Sequence, residues 1–264
     1  MHKDDKKEPL LQIKNLSVQT ALPSKNTVLL DNVSFTINPG ETTALLGESG
    51  SGKTLTALAV MDLLPEDVQQ VSGEIIFRGL PLTRIGKNSF AALRGKQISM
   101  IFQEPVSALN PVFKIGDQLT AVIRTNSGLS ISDARAKALE CLQEVGLPQA
   151  QRLLHHYPHQ LSGGMAQRIM IAMALSCRPA MIIADEPTTA LDVTTQLKIL
   201  NLMVELQKKH TFALLIISHD MRIVSALAGS VVILKKGKVV YQGNLDQLLK
   251  NGASEYIRSF SEMI

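Results

Sequence analysis

Gly47-Glu48-Ser49-Gly50-Ser51-Gly52-Lys53-Thr54 decides the fold, because this stretch matches GxxxxGK[ST] at every constrained position. Its glycines let the backbone curl so that N–H groups face an anion, and the helix that follows adds the positive end of its dipole. Lys53 is placed to bridge the β- and γ-phosphates of a nucleoside triphosphate, and the Thr54 hydroxyl to ligate Mg²⁺. The flanks are the required ones: Thr42–Leu46 is a short apolar run entering the turn, and Thr54–Leu64 reads as a helix leaving it. A strand–loop–helix unit of this kind belongs to a parallel α/β sheet, whose ligands collect at the carboxyl ends of the strands.

Working outward, Ile98–Phe102, Met181–Ala184 and Leu214–Ser218 are apolar runs without alternation, as strands covered on both faces should be. Leu11–Val18, Val28–Ile37 and Glu74–Phe77 read as further strands, the second alternating and ending at Asn38-Pro39-Gly40. Val231–Leu234 and Lys238–Tyr241, joined at Lys236-Gly237, predict a hairpin. Lys235, Lys236 and Lys238 read as its solvated tip. Between Gln103 and Arg178 the pattern turns helical. Ser132–Val145 has a Ser cap, an apolar face and a Gly146 stop, and Met165–Ser176 reads as a second helix.

Three of the apolar strands deliver polar residues at their carboxyl ends. Met181–Ala184 leads into Asp185 and Glu186, Ile98–Phe102 into Gln103, and Leu214–Ser218 into His219. Asp185 suits Mg²⁺ coordination through water, and Glu186 can orient or deprotonate an attacking water as the base. A second anion nest lies at Leu161-Ser162-Gly163-Gly164-Met165, a serine and two glycines opening a helix. One phosphate loop already serves one nucleotide, so this nest needs a different ligand.

Composition bounds the rest. The 264 residues fit one large domain or a domain with an embedded subdomain, and a net charge of +4 is too small to argue for nucleic acid. Two cysteines, Cys141 and Cys177, exclude a disulfide framework and offer no CxxC pair. No apolar run approaches the roughly 18 residues of a membrane span. His155, His156 and His159 are neighbours but read as ordinary surface histidines, and Met165, Met170, Met173 and Met181 as core filler.

Taken in order, GESGSGKT, Gln103, LSGGM, IIADEP, Ala190-Leu191-Asp192 and His219 resemble the nucleotide-binding subunits of ABC transporters over essentially Leu11 to Gly243. The resemblance implies that Ser162, Gly163 and Gly164 contact the γ-phosphate of ATP held by an opposite subunit. It also implies that Gln103 couples Mg²⁺ to a membrane partner, that His219 is a switch holding γ-phosphate and water, and that Asp192 lies in a loop linking the two sites. Three stretches, MIFQEPVSALNPVFKIGDQL, YPHQLSGGMAQRIMIAMAL and IIADEPTTALDVTTQ, are similar to the peptide and nickel importer group. Many peptide members carry a cysteine-clustered extension at the C-terminus. None follows Gly243 here, which looks more like the nickel or metallophore members.

The expectation is therefore an α/β P-loop cassette with a parallel-sheet core, an antiparallel β layer and a helical subdomain over about 103–178. The cassette spans 10–250, between a disordered charged tail at 1–9 and a short tail at 251–264. Its cofactors are ATP and Mg²⁺. Its partners are a second ATPase subunit (self or paralogue), two transmembrane permease subunits and an extracytoplasmic solute-binding protein, with no nucleic acid. It would sit peripherally on the cytoplasmic face of the bacterial inner membrane. A soluble ABC-type ATPase of DNA repair or translation is a rival, but such members carry a long coiled-coil insertion or two cassettes. A GTPase would carry an NKxD motif, which is absent. One departure from the resembled pattern stands out: the aromatic residue that usually stacks on adenine is replaced by Thr20, with Pro23 or Val28 as alternative apolar platforms.

Overall fold

The computed structural model describes residues 8–21, 26–189 and 191–251. The expected tails, 1–9 except its last two residues and 252–264, lie outside the described residues, as does Pro23. The strands are β1 Leu11–Thr20, β2 Val28–Ile37, β3 Thr42–Leu46, β4 Val68–Phe77, β5 Leu80–Pro81, β6 Ile98–Ile101, β7 Met181–Asp185, β8 Ala213–Ile217, β9 Ser230–Lys235 and β10 Lys238–Asn244. The chain divides into two compact units, one of residues 1–90 with 213–264 and one of residues 91–212.

In the first unit, β2, β1, β4 and β5 form an antiparallel sheet in that order. The apolar positions of β1 fall at Leu11 and Ile13, then at Leu16 and Val18, a change of phase that strict alternation would not produce. A bulge accounts for it. Asn15 takes a left-handed φ of 50°, the pairing with both neighbours shifts after Ile13 or Lys14, and all four apolar side chains stay buried. Gly73 on β4 accommodates the bulge, since a Cβ there would lie 2.4 Å from the Asn15 carbonyl oxygen. The structure starts β4 at Val68, earlier than the predicted Glu74. Its first half, VQQVS, buries none of its side chains and is held by backbone pairing to β1, which leaves no alternating apolar pattern to read.

The same unit carries the parallel core strands. β3 lies between β8 and β9, parallel to both, and β9 turns back into antiparallel β10. Every residue of β3 and β8 is buried, which explains their unbroken apolar runs. The helix after the phosphate loop runs Lys53–Val60, shorter than predicted. A Schellman stop ends it: Asp62 adopts φ 51°, Leu63 N–H donates to Leu58 O at 2.8 Å and Asp62 N–H to Ala59 O at 3.1 Å.

In the second unit β6 and β7 pair in parallel beside a set of helices. Ile115–Ser127 was not anticipated from sequence, although Ile115, Leu119 and Ile123 recur at helical spacing and are all buried. It packs on Ile131–Glu144, which packs on Gly163–Leu175. The cap of Ile131–Glu144 is Ser130 rather than Ser132, its Oγ accepting from Asp133 N–H at 3.1 Å. Gly146 at φ 71° ends that segment as the sequence implied. Among the described residues no helix is long and apolar enough to cross a membrane.

Candidate functional site

In the first unit, β3 is paired so that Leu45 faces Ile217 of β8. Both strands run the same way, so Gly47 and His219, each two residues further on, leave the sheet at the same edge. Ser218 reinforces this edge, donating its N–H to Leu45 O at 3.3 Å while its Oγ accepts from Asp220 N–H at 3.0 Å. His219 itself is exposed.

The loop has the geometry of an anion cradle. Glu48, Ser49, Gly50 and Thr54 are exposed, whereas Gly47, Ser51 and Lys53 are buried. Gly50 and Gly52 take φ of 77° and 102°, the left-handed region that side chains resist. Gly47 is needed for space as well: a Cβ there would lie 2.4 Å from both Leu234 O and Ser51 Oγ. Lys53 Nζ folds back to donate to Gly47 O at 2.8 Å and Glu48 O at 2.9 Å, so its cation hangs over the loop. Ser51 Oγ is buried without a hydrogen-bond partner, a cost of the kind a bound polar ligand relieves. These residues fit a polyphosphate.

In the second unit the offset repeats. Ile101 of β6 faces Ala184 of β7, and Gln103 and Glu186 each follow two residues later. Gln103 Nε2 donates to Glu186 Oε2 at 3.2 Å, and Thr189 Oγ1 donates to the same oxygen at 2.9 Å. Glu186 holds φ 43°, a strained backbone for a residue with a Cβ, which is a frequent mark of a functional position. Asp185, one residue earlier, is buried at 3% exposure. Sequence reasoning missed Thr189, whose position three residues after the acidic pair was the available signal.

The Leu161–Met165 stretch opens a helix. Ser162 caps Gly163–Leu175, its Oγ accepting from Met165 N–H at 3.3 Å, and both glycines sit in the first turn. A Cβ at Gly163 would lie 3.2 Å from Leu191 Cδ2, and one at Gly164 would lie 2.8 Å from Thr195 Cγ2. Within this unit, therefore, the signature Leu161–Met165 borders the segment containing Asp192. Asp192 also caps a helix, accepting from Thr195 N–H at 3.0 Å to start Val193–His210. Hydrogen bonds from the Thr195 side chain and backbone hold its carboxyl below the ordinary value. Gln196 anchors the loop before it, donating to Thr188 O at 3.0 Å and Leu191 O at 3.1 Å, a role the sequence did not reveal.

Thr20 ends β1 opposite Val68, and its Oγ1 accepts from Thr27 N–H at 2.9 Å, so the side chain closes a loop as well as marking the expected adenine position. Val28 nearby is 59% exposed and remains available as an apolar surface. The hairpin tip is not simply solvated. Lys236 and Lys238 are exposed, but Gly237 is buried and Lys238 Nζ pairs with Asp31 Oδ2 at 3.0 Å.

Comparison with known proteins agrees with this geometry. The ABC transporter family matches residues 30–189, more than half of the chain. A putative peptide import ATP-binding protein of Brucella melitensis biotype 1 is 43% identical over 95% of this chain and 76% of its own length. The oligopeptide transport ATP-binding protein AppD of Bacillus subtilis is 44% identical over 90% of this chain and 73% of its own. The peptidoglycan transport ATP-binding protein YejF of Agrobacterium fabrum is 42% identical over 97% of this chain, which spans only 47% of that protein. Among solved structures, a dimeric ATP-binding cassette in a post-hydrolysis state with ADP and Pi superposes with a TM-score of 0.79. It is 29% identical and covers 89% of this chain and 98% of its own. With the phosphate loop, the acidic strand end and the capped signature helix all present in a matching fold, the chain belongs to the ABC transporter family as one of its ATP-binding cassettes.

Proposed function

We propose that the chain hydrolyses Mg·ATP as one of two cassettes that power a peptide importer. The observation that carries the ATPase reading is the phosphate loop, with Lys53 Nζ bonded to the Gly47 and Glu48 carbonyls and Ser51 Oγ buried beneath it. Residues Gly47 to Thr54 bind the triphosphate, and Lys53 neutralises its charge. Thr54 in the first unit and, separately, Gln103 and Asp185 in the second each offer oxygen ligands of the kind that would hold Mg²⁺, which would supply further neutralisation of phosphate charge. In the second unit Glu186, steadied by Gln103 and Thr189, takes the proton of an attacking water, and in the first unit His219 is the switch residue toward the γ-phosphate. Ser162, Gly163 and Gly164 serve the nucleotide of the opposite cassette, and Asp192 fixes the loop between the two functions. That the similar solved cassette is a dimer supports this arrangement.

Peptide is the favoured cargo class because the Brucella and Bacillus relatives carry peptide and oligopeptide in their names. No observation favours the nickel or metal-chelate alternative drawn from the end of the sequence. Two permease subunits and an extracytoplasmic solute-binding protein complete the proposed complex, with this chain on the cytoplasmic face of the bacterial inner membrane. The test is to isolate the complex from its native membrane, place it in vesicles and measure ATP turnover with loaded binding protein. Peptide-stimulated turnover is expected. Stimulation by nickel or a metal chelate alone would overturn the cargo, and turnover in vesicles that no loaded binding protein alters would overturn the transport role.

A further inference from the structure

The hairpin β9–β10 turns at Lys236-Gly237 with φ of 46° and 77°, the pair of left-handed residues of a type I′ turn. A solvated tip would leave its backbone to water. This turn spends its backbone on the nucleotide loop instead. Gly237 N–H donates to Ser51 O at 3.0 Å, and Gly237 O accepts from Asp31 N–H at 2.9 Å. There is no room for a side chain: a Cβ at Gly237 would stand 2.4 Å from the Leu29 carbonyl oxygen. Leu30 then fills the gap on the other side, its Cδ2 lying 2.4 Å from where a Gly52 Cβ would be. On β9, just before the turn, Leu234 O comes equally close to the space beside Gly47. The turn, β2 and the phosphate loop therefore interlock, all within the first unit.

We propose that Gly237 is a positioning residue for the phosphate loop. The peptide between Ser51 and Gly52 is planar and trans, so its N–H points opposite to its C=O. By holding the Ser51 carbonyl on the outer side, Gly237 turns the Gly52 N–H to the inner side, where an anion nest needs its donors. A donor held in this orientation by the protein's own backbone has less ordering to lose on binding, which favours affinity. The inference rests on the reading of Gly47–Thr54 as the nucleotide loop.

The experiment titrates the full chain calorimetrically with Mg·ATP and Mg·ADP. Gly237→Ala places a Cβ against backbone at a left-handed φ, so the turn must move away from Ser51. Dissociation constants for both nucleotides should rise about tenfold or more with the binding stoichiometry unchanged. Lys238→Ala, which removes only the exposed ion pair to Asp31, should stay within about twofold. A merely structural role would lower the fraction of binding-competent protein and leave the dissociation constant alone, so that pattern overturns the proposal. An unchanged titration also overturns it. If the alanine variant does not fold, hydrogen exchange on the parent chain decides: Mg·ADP should further protect the Gly237 amide, and unaltered exchange there overturns it. A parent chain that binds neither nucleotide refutes the nucleotide-loop reading itself, a result distinguishable from all of these.

Discussion

Thr20→Tyr tests how the cassette holds a base without the usual aromatic residue. The substitution removes a hydroxyl that accepts from Thr27 N–H at 2.9 Å, an exposed neutral bond worth about 0.5–1.5 kcal/mol. It also places an aromatic ring on β1 directly opposite Val68, and an aromatic–β-branched pair returns about 0.2–1 kcal/mol. The two nearly cancel, so the melting temperature should move by no more than a few degrees. Affinity should respond differently, because stacking of a base on an aromatic ring is worth about 1–3 kcal/mol. At about 1.4 kcal/mol per tenfold, the dissociation constant for ATP should fall by roughly five- to a hundredfold. GTP should tighten alongside it, since every base presents a π face, and the parent chain should discriminate weakly between the two. Calorimetric titration of both proteins with both nucleotides, beside a thermal melt, reads all of this. A variant that melts normally and binds ATP no more tightly would show that Val28 or a partner already covers the base.

Glu186→Gln keeps an acceptor for Thr189 and Gln103 but removes the base, so nucleotide should bind normally while turnover in the assembled transporter falls by about 10²–10⁴; near-normal turnover would refute the assignment. Ser162→Arg deletes a helix cap, costing about 1 kcal/mol, and puts a bulky cation in the nest, so an isolated chain should bind ATP as before while ATP-driven dimerisation and hydrolysis fail; lost ATP binding in the isolated chain would mean the nest serves its own nucleotide. Burial raises the Glu144 carboxyl, but hydrogen bonds from Lys209 and His210 outweigh it and hold the group below its ordinary value. Its stabilising contribution is therefore complete above the unfolded carboxylate range near pH 4.3 and fades as pH falls through the lowered folded value. Glu144→Gln should be less stable than the parent in urea at pH 7, with the gap narrowing as pH falls through the lowered folded value, and a gap that does not change with pH would refute the pairing.

Some features of this cassette need only a few neighbouring residues to encode them. Glycine spacing wrote the phosphate loop, since only glycine takes the φ of 77° and 102° at positions 50 and 52 without strain. Unbroken apolar runs marked β3, β6, β7 and β8 as covered on both faces, and Ser162 announced its helix because a cap needs only the next three residues. Other features depend on partners distant in the chain. Strand order set Gly47 beside His219 and Gln103 beside Glu186, because parallel register carries equal offsets to the same edge. The bulge at Asn15, the first half of β4 and the grip of Gly237 on Ser51 are backbone contacts across 58 to 186 residues or, for the strand half, pairing without a buried side chain. Hydrophobic pattern records burial of side chains and says nothing of where a backbone N–H finds its acceptor, so those contacts became legible only once the strands were brought together.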